Sequence, residues 1–113
     1  MKIPTAPSRL DVDDMRRRLG DDDELIGTVL QLFVEHCPGQ LAAVKTAVDT
    51  AAADAVRRSA HLLKGSAGTL GATGVVAAAM ALEQAAERGE HSLFTRGYAT
   101  LAAEVEQLLD ELN

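Results

Sequence analysis

Apolar residues recur along this chain at three- and four-residue intervals, the spacing that lines one face of an α-helix. The clearest block holds Ile26, Val29, Leu30, Phe33 and Cys37. It predicts a helix that begins at the acidic cluster Asp21, Asp22, Asp23 and Glu24, which offers an N-cap and first-turn carboxylates that suit the helix dipole. Pro38 and Gly39 interrupt the block, and Leu41, Val44 and Val48 resume it. Periodicity alone leaves open whether Pro38 breaks this helix or kinks it, since proline removes a backbone donor and crowds the preceding turn. Ahead of it, residues 11–19 read as a short helix with acidic residues first and arginines last, ended by Gly20.

A turn is expected at residues 49–52, with Asp49 or Thr50 as cap. The next helix is expected over residues 53–70, with Gly71 as the residue that ends it. Its stripe holds Ala55, Val56, Ser59, Leu62, Leu63, Ser66, Ala67 and Leu70. Thr73 then reads as the N-cap of a helix over 74–88, with Val75, Val76, Ala79, Leu82 and Ala86 inward and Gly89 at its end. In the last helix, over 92–112, Phe94, Tyr98, Leu101, Val105, Leu108 and Leu112 keep near-heptad spacing, which favours packing at shallow crossing angles. Short connections make consecutive helices antiparallel neighbours.

Composition narrows this picture. Only 3% of residues are aromatic, which suits close-packed helices better than a sheet. A chain of 113 residues supports a single core. The formal net charge of −6 argues against a nucleic-acid partner, which would call for a basic footprint. The single cysteine, Cys37, cannot form an internal disulfide and suits a reducing compartment. The opening residues lack the apolar segment of a secretory signal, and no apolar run reaches membrane-spanning length, so the expected location is cytoplasmic and away from the membrane.

The chemistry gathers on one face of the helix over 53–70. His61 shares that face with Asp54, Arg57, Arg58, Lys64, Gly65 and Gly68. Each interior glycine costs about 1 kcal/mol relative to alanine, so two of them near an exposed imidazole point to close approach by something large. Lys64, one turn on, is placed to neutralise an anion held at the ring. Access and nearby positive charge are what a phosphate-carrying histidine needs. The other enzyme classes find no support. The glycines have the wrong spacing and context for a nucleotide loop. His36, His61 and His91 fall on separate segments, so no metal site is expected. Ser66 is predicted inward, away from His61, and a serine nucleophile is not expected.

The run His61-Leu62-Leu63-Lys64-Gly65-Ser66-Ala67, followed by Leu70-Gly71-Ala72, resembles the signature of histidine-containing phosphotransfer (HPt) domains, the relay modules of multi-step two-component signalling. The helical pattern matches over about residues 10–112. The resemblance implies an all-α, antiparallel up-down four-helix bundle with a short additional N-terminal helix over residues 10–113, behind a flexible lead-in at residues 1–9. It favours one long, bent helix through Pro38 to about residue 49. It implies that His61 accepts a phosphoryl group on Nε2 and hands it on, and that Lys64 stabilises the phosphoryl oxygens. Gly65, Gly68, Arg57 and Arg58 would serve partner docking. The family often places a Gln or Glu 22 positions after the histidine to hold the other ring nitrogen, and here that residue is Glu83. Where some relatives carry a second basic residue, this chain has Glu87.

The partners so implied are response-regulator receiver domains and a hybrid histidine kinase, in transient complexes with a monomer. No cofactor is expected in this chain, because the Mg²⁺ and the aspartate belong to the partner receiver. The expected protein is a phosphoryl carrier with no independent catalytic activity. Two other roles stay open: a receiver-docking module that carries no phosphate, and the isolated phosphoryl-accepting domain of a larger histidine kinase.

Overall fold

The computed structural model describes residues 3–4 and 8–113. Of the lead-in expected at residues 1–9, residues 1, 2, 5, 6 and 7 lie outside the described residues. Ser8 and Arg9 are tied down. The Ser8 hydroxyl accepts from the Leu10 N–H, and the Arg9 N–H donates to Glu111 at 3.1 Å.

Among the described residues the fold is all-helical: α1 (Val12–Leu19), α2 (Asp23–Asp49), α3 (Ala53–Thr69), α4 (Thr73–Glu87) and α5 (Phe94–Leu112). A 3-10 turn, His91–Leu93, precedes α5, so the last α-helix starts two residues later than the pattern predicts. Helix α2 packs on α3, α3 on α4 and α4 on α5, and α5 closes on α2. At 1.5 Å per residue the 27 residues of α2 reach about 40 Å, which accounts for the molecule's longest dimension of 41 Å. The buried stripes agree with the periodicity. Ile26, Leu30, Cys37 and Val44 from α2 meet Val56, Leu63 and Ala67 from α3, Leu82 from α4, and Leu101, Val105 and Leu108 from α5. Each fully buried leucine contributes on the order of 2 kcal/mol.

Pro38 does not break α2. The helix is continuous across it, with Cys37 and Val44 buried on either side and Pro38 itself turned to solvent. The lost backbone bond therefore falls on the wet side of the helix, while the packed side continues.

The caps differ from expectation in an instructive way. Asp22 caps α2 by accepting the Glu24 and Leu25 N–H groups, and Asp11 caps α1 through the Asp14 N–H. Neither Asp49, Thr50 nor Thr73 caps the helix that follows it. The N-cap residues there are Ala52 and Ala72, which make no side-chain cap bond, and Thr73 is already helical. Each alanine instead closes the helix before it, donating its N–H to Ala47 and Ala67 respectively. These are left-handed helix ends with Ala51 (φ 52) and Gly71 (φ 69) at the turn. Gly71 is required twice over. Its φ suits glycine, and a Cβ would stand 2.8 Å from the Asp11 carbonyl oxygen. That close approach lets the Asp11 N–H donate to the Gly71 carbonyl at 2.7 Å, seating α1 on the α3–α4 turn, with Leu10 and Met15 buried beneath.

Candidate functional site

His61 lies midway along α3 with 63% of its side chain exposed. The 100° step of the helix puts Lys64 toward α4 and Gly65 on the open face beside the ring. From α4, Glu83 points back into the seam between the two helices and is the one buried charged residue among those described. Its carboxylate spans two donors. His61 Nδ1 lies 2.6 Å from one oxygen and Lys64 Nζ 2.6 Å from the other.

An ionised carboxylate only accepts, so the first contact requires the proton on Nδ1. In a neutral ring that leaves Nε2 with its lone pair. Among the described residues no group bonds Nε2, and the exposed edge of the ring carries it outward. Burial pushes the Glu83 carboxyl up, but the hydrogen bonds and charges of Lys64 and His61 outweigh it and hold the group below its ordinary 4.5. Such a carboxyl binds fewer protons folded than unfolded, so its contribution is complete above 4.5 and is lost as pH falls through the lower folded value. Urea titrations below pH 4.5 will therefore show a steeper loss of stability for the parent than for Glu83→Gln. Parallel acid limbs would remove the ionised carboxylate from this account.

The remaining sequence-predicted residues divide into two groups. Arg57 and Arg58 lie on the His61 face, but both guanidiniums turn to Asp54 at 3.0 Å. The hydrogen bond from Arg57 and the two charges hold the Asp54 carboxyl below its ordinary value. Lys64 is not a free cation either; it is half-buried against Glu83. The patch thus keeps one net positive charge, less than the sequence count suggests. At Gly65 and Gly68 an added Cβ would find nothing within 4 Å, so neither position is glycine for internal packing. Gly27 and Gly39 are equally open, and only their position beside His61 sets Gly65 and Gly68 apart.

Leu62 corrects the predicted stripe. It is 61% exposed, the most exposed large apolar residue of those described, and it stands next to His61. On the helical wheel it lies 100° from the histidine and about 120° from the direction shared by buried Val56, Leu63 and Ala67, outside the covered side of α3. Ser66 is half-buried as expected, donating to the Leu62 carbonyl and accepting from Gln40 Nε2, so it is not available to the ring. No group of three or more metal-ligating side chains occurs among the described residues, and none of the described helices is long and apolar enough to cross a membrane.

This is a helical bundle that presents one histidine, held from behind by a carboxylate and flanked by a lysine and two open glycines. A family model described as Hpt domain matches residues 28–112, and the chain belongs to that family. Membership assigns it a phosphotransfer role in two-component signalling. No curated protein and no solved structure matches the chain.

Proposed function

We propose that His61 is the phosphoryl acceptor, taking the group from the aspartyl phosphate of a receiver domain and passing it to the aspartate of another. The observation that carries this reading is the asymmetry of the ring: Nδ1 is held by a buried carboxylate and Nε2 is free and exposed. The Nε2 lone pair attacks phosphorus in line. The N–P bond forms as the P–O bond to the donor aspartate breaks, and the electron pair leaves with the aspartate carboxylate. Nδ1–H stays with Glu83, whose negative charge balances the positive ring. Delivery runs the same steps in reverse onto a second receiver.

Lys64 needs no backbone movement to take part. Its flexible stem can leave one Glu83 oxygen for a phosphoryl oxygen on Nε2, one turn away. Arg57 and Arg58 supply the net positive rim, and Gly65 and Gly68 the clearance. Exposed Leu62 adds apolar contact beside the ring. Mg²⁺ and the reacting aspartate come with the receiver, and this chain contributes no cofactor. The protein acts as a monomer in transient complexes, as a cytoplasmic carrier, with a hybrid histidine kinase as the alternative source of phosphate.

The test is transfer of labelled phosphate from receiver domains charged with acetyl phosphate. The protein is expected to take up label that is stable in base and lost in acid. Label that survives acid would assign the phosphate to another residue type and overturn the reading.

A further inference from the structure

Helix α4 has a second flank. At 100° per residue, Ala78, Ala81 and Ala85 stand about 160–220° round the helix from Glu83, toward α5 instead of α3. With Leu93 and Arg96 they line a groove of about 230 Å³ between α4 and α5. Ala78 and Ala85 are buried and form its floor, whereas Ala81, Leu93 and Arg96 are exposed at its mouth.

Charge and exposure give this groove a chemistry. Arg96 is its only charged lining residue, so no carboxylate lining the groove cancels it. Among the described residues Arg96 is also the one arginine or lysine that makes no ion pair. Every other one has a carboxylate oxygen within 3.8 Å. Beside it Leu93 keeps 38% of its surface in water, although apolar side chains gain by burial. A guanidinium next to an apolar hollow is complemented by a carboxylate next to an apolar side chain.

Size decides what carries those two groups. Pockets for free small ligands usually run to about 300–1,000 Å³ and enclose most of the molecule. A groove of about 230 Å³ with an exposed mouth is too small and too open for that. It suits one large apolar side chain anchored by a protein that makes further contacts outside it.

We propose that the α4–α5 groove docks an amphipathic helix of a second protein, which inserts one large apolar side chain and pairs a carboxylate one turn away with Arg96. The groove and the His61–Glu83 contact lie on opposite flanks of α4, so this helix leaves Nε2 open. The carrier then stays attached to one protein while His61 meets a receiver. That consequence, unlike the docking itself, rests on the phosphotransfer reading above.

The probe is a synthetic helical peptide carrying one phenylalanine with a glutamate one turn on, and its twin carries lysine in place of the glutamate. Backbone amide signals of the parent, Arg96→Glu, Arg96→Lys and Ala81→Gln are followed by NMR as each peptide is added. The glutamate peptide is expected to shift Ala78, Ala81 and Ala85 of the parent and to leave His61 and Gly65 in place. Arg96→Glu should weaken it about tenfold, with the difference shrinking in high salt, and Arg96→Lys should keep most of the affinity. The lysine peptide should bind Arg96→Glu better than the parent, and Ala81→Gln, which fills the mouth, should weaken both peptides. Absence of shifts in the parent, shifts centred on His61, or equal binding of the two peptides would overturn the docking proposal. Phosphoryl uptake from a charged receiver is then measured with the peptide at saturation and is expected to be unchanged. Slowed uptake would overturn simultaneous occupancy. A parent that takes no label with or without peptide would overturn the phosphotransfer reading and leave the groove standing on the NMR result.

Discussion

Replacing His61 with glutamine is expected to abolish phosphoryl uptake and to leave the bundle standing. The size of the first effect follows from chemistry: a glutamine amide has no nucleophilic lone pair to replace Nε2, so transfer falls to background. The second follows from position. His61 keeps 63% of its side chain in water and buries no core surface, and its recorded hydrogen bond is the one to Glu83. A single exchanged hydrogen bond changes stability by about 1 kcal/mol, and Lys64 still pairs with the carboxylate. The glutamine amide N–H can also donate toward Glu83. Circular dichroism is therefore expected to match the parent, with the melting temperature shifted by only a few degrees. Labelled transfer to the folded variant would remove His61 from the acceptor role. Collapse of the helical signal would show that the histidine is structural.

Much of this arrangement is legible in sequence because exposure and burial alternate at helical period. The stripes on α2, α3 and α5 need only the apolar positions, and they find Ile26, Leu30, Leu63, Leu101 and Leu108 in the core. Helix ends are harder. The rule for N-caps looks for a side-chain oxygen, and at Ala52 and Ala72 the structure uses none, because the backbone closure of one helix also positions the start of the next. Nothing in an alanine announces that. Pro38 is ambiguous for a related reason: the cost of its missing donor depends on which side of the helix faces water, a property of packing against α3 and α5. Leu62 counts as inward when apolar residues alone define the stripe, whereas the buried residues of α3 point about 120° away from it.

The site divides along the same line. The motif register brings His61, Lys64 and Glu83 to notice separately, and tertiary packing alone brings the carboxylate within 2.6 Å of both donors. That geometry revises the electrostatics. Lys64 is paired before any phosphate arrives, so the positive charge available for docking is smaller than the face suggests. It also makes Glu83 the shared partner of the ring and the lysine, a coupling that no linear spacing contains.

Gly65→Gln should separate stability from function in opposite directions. An interior helix glycine is worse than a residue with a side chain by about 0.5–1 kcal/mol, and a Cβ at position 65 would find nothing within 4 Å. The variant is expected to melt a few degrees above the parent, since about 1 kcal/mol moves a domain of this size by several degrees. Transfer from a charged receiver should nonetheless fall at least about tenfold, because the new side chain stands on the open face one turn from the ring, where a receiver must bring its aspartate within bonding distance of Nε2. Gly27→Gln supplies the control. That position is as open as Gly65, but by helical geometry it falls on the flank of α2 away from Val29, Phe33 and Gln40, which line the groove toward α3. It should gain similar helix stability with transfer unchanged. Parent-like transfer by Gly65→Gln would refute the clearance argument. A matching loss in Gly27→Gln would refute it too, because the effect would then come from stiffening the bundle rather than from blocking the approach to His61.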